Sequence, residues 1–213
     1  MEAAPATSTG ITRRLSEFVA GLSWDQVDPA VIRHLKYCIL DTIGCGLYCS
    51  GLPWGKIAIE FGKSLGQGEE AVIWGTPWKV PANQAALVNG TLVHSFEIDD
   101  LHKVAVIHPG ANVVPSVLAM AEKKGDVDGK TLLLAILAGY EVGCRIGLVS
   151  GAVQLKRGFH PSATAGSFAA AAGVAKLLGL DAEKIVHALG IAGTQTSGLM
   201  SSQYQAMAKR MNS

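Results

Sequence analysis

The stretch PSATAGSFAAAAGVAKLLGL, residues 161–180, constrains the fold more than any other. Alanine favours helix, yet a helix made almost wholly of Ala, Gly and Ser has little apolar area of its own to bury. It is stable only where other backbones come close over those small side chains. The rest of the chain repeats the theme, with 49% hydrophobic residues, 25 glycines and only 6% aromatics. Closely packed helices are the architecture this composition predicts.

Helical punctuation recurs along the 213 residues. The first ten residues are expected to be a disordered tail, followed by one domain over residues 11–213. Leu15, Phe18, Val19 and Leu22 recur at helical spacing. Asp28 and Pro29 read as N-cap and first helical residue of DPAVIRHLKYCILDTIGCGLY. Pro81 starts a further helix, Pro115 falls inside another, and Asp128 and Asp181 are placed as caps. Gly179 closes the small-residue helix, and only AVIW (71–74) reads as a strand. The expected fold is all-α.

Several classes fall away. A formal net charge of +1 without a basic run leaves no electrostatic footprint for nucleic acid. Cys38, Cys45, Cys49 and Cys144 form no CxxC pair and read as small core residues. MEAAPATSTG has no apolar signal region and no arginine. LLLAILAGY (132–140) is short of the roughly 20 apolar residues of a membrane span and is followed by Glu141 and Arg145, so a buried core helix is expected. A cytoplasmic protein without a membrane partner is the resulting expectation.

Titratable chemistry is concentrated in HSFEIDDLHKVAVIHPG, residues 94–110, in a chain of 16% charged residues. His94, Glu97, Asp99, Asp100, His102 and His108 fall where a helix should end and a loop begin, a usual place for reactive groups. A solvated helix end would read the same way. A metal site would suit these residue types, but no HExxH or other fixed ligand spacing is present, so no metal is expected. In metal-free acid–base chemistry, crowded carboxylates and imidazoles push one another's pKa apart and so divide acid from base. A second His-Pro step, in GFHPSATAG (158–166), pairs with HPG (108–110). Pro at the first helical position leaves His108 and His160 each at the mouth of a helix, beside its free N–H groups. Lys209 and Arg210 could anchor a carboxylate.

In order along the chain, LDTIGCGL (40–47), AALVNGTLVHSFEIDDLH (85–102), HPGANVVPSVLAMAE (108–122), LAGYEVGCRIG (137–147), GFHPSATAGSFAAAAGVAKLLGLD (158–181), ALGIAGTQTSGLM (188–200) and AKRM (208–211) resemble the MmgE/PrpD family, which includes 2-methylcitrate dehydratase and cis-aconitate decarboxylase. The resemblance implies an all-helical main domain, homodimerisation, and a lyase acting on small polycarboxylates with neither metal nor iron–sulfur cluster nor other cofactor. It implies catalytic roles for His108, His160, Asp99 and Asp100, and substrate binding by Lys209, Glu97 and His102. His94 receives no role of its own. Dehydration is placed first, with decarboxylation, epimerisation and an inactive dimerisation partner as alternatives. The family often reads DFDDTH where this chain reads EIDDLH, so Glu97 and Leu101 mark a departure that bears on substrate choice. The chain is also expected to lack the family's α+β lid.

Overall fold

A computed structural model describes residues 10–66 and 68–201. The expected tail therefore lies outside the described residues except for Gly10, and so do Lys209 and Arg210. Eight helices occur among the described residues: α1 (Ile11–Gly21), α2 (Pro29–Ser50), α3 (Pro53–Ser64), α4 (Ala82–His94), α5 (Pro109–Lys124), α6 (Gly129–Lys156), α7 (Pro161–Leu177) and α8 (Ala182–Thr194). The described residues are all-α apart from a two-residue antiparallel pair, β1 (Ala71–Val72) and β2 (Lys79–Val80), with Ala71 opposite Val80. AVIW therefore supplies one strand. Its partner went unread, because KVP is too short to show alternation.

The sequence caps act as written. Asp28 accepts from Ala30 N–H, Asp128 from Lys130 and Thr131 N–H, and Asp181 from Lys184 N–H. Pro109 and Pro161 each occupy the first helical turn, with His108 and His160 as the N-cap residues. Gly179 takes φ +66° just past α7, the left-handed conformation that glycine adopts without steric cost.

The small residues do what their composition requires. Val113, Val114, Val117, Ile136 and Ala169 are buried together where α5, α6 and α7 meet. A side chain on Gly139 would come within 2.6 Å of Val113 and 2.8 Å of the Ala169 carbonyl, and one on Gly143 within 2.7 Å of Ala169 Cβ. Further along α6, Gly147 gives room to the 95–107 loop: a Cβ there would meet the Ala105 carbonyl at 2.7 Å and Ala105 Cβ at 2.8 Å. Ala105 and Ile107 are fully buried. By length and composition α6 could cross a membrane, but here its glycines seat α7 and the loop, as in the core of a helical fold.

Gly147→Ala would push the backbone of the loop that carries the titratable cluster. A loss of about 1–3 kcal/mol, typical of overpacking, is expected in urea unfolding. A variant as stable as the parent would mean that the loop yields freely.

Candidate active site

Helix α4 ends at His94, whose side chain is driven inward with Leu92 and Val93; all three are 1% exposed or less. The chain then turns through Glu97 at φ +61° and Val106 at φ +56°. Side chains rarely adopt that region, a β-branched one least of all. Such strain persists only where the surroundings over-determine it. Ala105 and Ile107 pin one end of the loop, and His102 stiffens it: its Nδ1 accepts from Ala105 N–H, and its backbone pairs with Ile107.

This loop sends its two adjacent aspartates into different surroundings. Asp99, 5% exposed, lies with Oδ2 3.0 Å from His94 Nδ1 and 3.4 Å from His108 Nδ1. Burial alone would raise its pKa, but the hydrogen bonds and charges of His108 and His94 outweigh that and hold it at about 2. His108 moves the opposite way. Burial would lower it, but the Asp99 hydrogen bond and charge, with Glu97, raise it above the usual imidazole value.

Asp100 turns to the start of α5, where Oδ1 accepts from Gly110 N–H at 2.9 Å. Burial pushes its carboxyl up to about 6; the Tyr140 hydroxyl and the Gly110 N–H work against this, while the charges of Asp99 and Asp41 add to it. Burial and Asp100 in turn push Tyr140 well above the usual phenol value. Asp100, Leu101, His102 and Tyr140 share the wall of a groove of about 750 Å³ between α2 and α6. Asp99 is therefore the carboxylate of the histidine cluster, and Asp100 anchors the helix that carries His108. Carboxyl-carbon NMR titration should separate them: Asp99 stays ionised down to about pH 2, and Asp100 takes up a proton near pH 6. Coincident titration would refute the division.

His160 stands against the same centre. Its ring centroid is 5.5 Å from that of His94, and the His108 centroid is 4.5 Å from His94. The two His-Pro steps are tied together by a hydrogen bond from His108 N–H to Ser162 Oγ at 3.1 Å. His160 is fixed from the other side too, since its N–H donates to the Gly198 carbonyl and Met200 N–H donates to that of Gly158. Glu97 completes the group, with Oε1 3.2 Å from His94 Nε2. Glu97 at 34% and His108 at 16% side-chain exposure are its outward members, whereas His94 and Asp99 side chains are wholly covered.

Thus Asp99, His108, His160 and Glu97 come together, while Asp100 and His102 sit to one side. Sequence reasoning gave no role to His94, Tyr140 or Ser162. His94, Asp99 and His108 each offer an atom within 4.8 Å of the others, a spacing a metal ion could also bridge. Hydrogen bonding accounts for the Asp99–His94 part of it, because both Asp99 oxygens lie within 3.3 Å of His94 Nδ1, while His108 Nδ1 stands 3.4 Å away without a well-formed hydrogen bond among the described residues.

A buried carboxylate between two histidines, at the mouths of two helices that begin with His-Pro, is an arrangement for moving protons beside an anion. Comparison with known families gives it a context. The model of the MmgE/PrpD N-terminal domain matches residues 13–212. The chain belongs to the MmgE/PrpD family. Among curated proteins it is 35% identical over 208 residues to a cis-aconitate decarboxylase-like protein, oryM, of Aspergillus oryzae, covering 94% of this chain and 43% of that protein. It is 34% identical to cis-aconitate decarboxylase of Aspergillus terreus, over 95% of this chain and 42% of the relative. With the enzyme of that name from Homo sapiens the identity is 33% over 187 residues, 85% of this chain and 39% of the relative. The chain thus spans about two-fifths of the length of these MmgE/PrpD relatives.

Proposed function

We propose that this chain carries the acid–base centre of a lyase acting on a small polycarboxylate, with decarboxylation of a cis-aconitate-like substrate as its reaction. The observation that carries the reading is the Asp99–His108 pair: a buried carboxylate held ionised 3.4 Å from an imidazole whose pKa it raises. In such a reaction the bond from carbon to a carboxylate carbon breaks, carbon dioxide leaves, and the electron pair stays on the substrate carbon. A proton then forms the new C–H bond. His108 is the proposed donor, its imidazolium stabilised by Asp99 until the carbanion forms. His160 faces the same centre and is the second acid–base group. The starts of α5 and α7, where each helix dipole favours negative charge, are suited to hold the remaining carboxylates.

Dehydration, which the sequence placed first, becomes the second reading, because two of the relatives named above are cis-aconitate decarboxylases and the third is named as like one. The same groups would serve it: a base takes a proton next to a carboxylate, and an acid helps hydroxide leave as water. NMR of the purified chain with cis-aconitate or 2-methylcitrate in deuterated water separates the alternatives. Release of carbon dioxide with one deuteron fixed on carbon supports decarboxylation. Loss of water from 2-methylcitrate supports dehydration, and exchange without either loss indicates an isomerase. No change in either compound would refute the lyase reading of this chain. Turnover that survives dialysis against a chelator is the outcome expected of metal-free chemistry.

A further inference from the structure

His94 is the most deeply buried member of the cluster, and the acid–base scheme leaves it without a task. It is 1% exposed at the end of an apolar helix turn, where burial of an imidazole costs stability unless its nitrogens are bonded. Both nitrogens lie beside carboxylates, and Nδ1 is the one that makes a hydrogen bond among the described residues. Nδ1 lies 3.0 and 3.3 Å from the two oxygens of Asp99, and Nε2 lies 3.2 Å from Glu97 Oε1. Its ring also packs edge-on against His108 and at a tilt against His160.

We propose that His94 is the positioning residue of the site: it clamps Asp99 from inside the core, and Asp99 in turn fixes the tautomer and direction of His108. The unequal distances support this order. Asp99 is held by both oxygens toward His94 and reaches His108 through one, at 3.4 Å. Released from His94, the carboxylate has no side-chain donor besides His108 among the described residues to hold it in place, and its loose contact with His108 is the one that fails. Among the described residues, the groups acting on His108 are then Asp99 and Glu97 from the loop and His94 from α4, with His160 beyond His94 and Asp100 directed away to Gly110. A ring nitrogen's proton is set by what the other nitrogen and its partner demand, so neutral His108 in the parent carries its proton on Nδ1, facing Asp99.

The proposal rests on the acid–base reading for its functional meaning, but its test does not need turnover. Imidazole 15N shifts of His108 are recorded above its titration midpoint in the full chain and in His94→Leu, His94→Asn and His94→Gln. Asparagine places an amide donor near the position of Nδ1, and glutamine places one near that of Nε2. The expected result is an Nδ1–H tautomer at His108 in the parent and in His94→Asn, and a shift of the proton to Nε2 in His94→Leu and His94→Gln. Should His94→Leu fail to fold, the Asn and Gln pair decides. An unchanged His108 tautomer in the Leu or Gln variant, or the same tautomer in Asn and Gln, overturns the proposal. In a form that turns over substrate, His94→Leu should lower kcat by about 10–100-fold, the scale of lost orienting partners elsewhere, with KM within about twofold. A parent that shows the tautomer pattern but no turnover would count against the lyase reading and leave the clamp standing.

Discussion

His108→Ala and His160→Ala are each expected to lower turnover of cis-aconitate by about 10²–10⁴-fold, the range that a positioned general acid or base supplies. The two should fail differently. Removing His108 takes away the imidazole whose protonated form Asp99 favours, so the defect falls on the proton-donating step and appears in kcat. It also opens space at a partly exposed position, 16% at the side chain, so free imidazole should restore part of the rate. His160 is 6% exposed and walled in by the 198–200 segment through its backbone, so added imidazole should do little for His160→Ala. Initial rates with and without imidazole check both. Rates within twofold of the parent in both variants would remove these histidines from the chemistry.

The loss on the His108 side has a pH signature as well. His108 is raised above its ordinary value chiefly by Asp99, since burial works against it. Replacing Asp99 by asparagine should therefore move the basic limb of the activity profile to lower pH, because the acid loses its proton earlier.

The helical frame was legible because it is written in local chemistry. Asp28, Asp128 and Asp181 each sit one residue before a helix and bond its first free N–H groups, a relation that depends on spacing alone. The His-Pro steps were legible for the same reason, and they located His108 and His160. Asp99 and Asp100 were harder. As neighbours in sequence they look alike, and their division depends on a loop whose turn uses a positive φ at Glu97, where no glycine signals it. His94 was missed because helix periodicity does not separate a histidine at a helix end that is solvated from one that is 1% exposed. Tyr140 and Ser162 act across the fold, on Asp100 and on the His108 backbone. A polar residue among the small and apolar ones of α6 or α7 was their only local signal. The glycines of α6 gave composition but not geometry; only the packed structure tells which of them receives α7 and which receives Ala105.

Asp99→Ala should be the most damaging single change to the fold. It leaves two imidazoles crowded around a buried void, with His94 Nδ1 unbonded in the core. Breaking a buried ionic contact by removing one partner costs about 3–5 kcal/mol, a large share of the stability of a domain this size. The dependence on pH separates this from simple loss of packing. Asp99 is held at about 2 against an ordinary value of 3.8, so the folded state favours its ionised form. Its contribution is complete above the ordinary value and is lost as pH falls through about 4 to about 2. The gap between parent and Asp99→Ala should therefore be widest above pH 4, where Asp99 is ionised and His108 still carries its proton, and narrow steadily below pH 4. Asp100, raised to about 6, acts with the opposite sign: the folded state binds its proton more tightly, so it costs stability as pH rises from about 4 to about 6. Asp100→Asn keeps an oxygen for the Gly110 N–H and removes that cost, so it should flatten the parent's decline over the same interval. Urea unfolding of the three proteins from pH 3 to 8 tests both signs. A gap between parent and Asp99→Ala that is constant across pH would mean that Asp99 supports the fold by volume alone, and that the charge it lends to His108 plays no part in holding the site together.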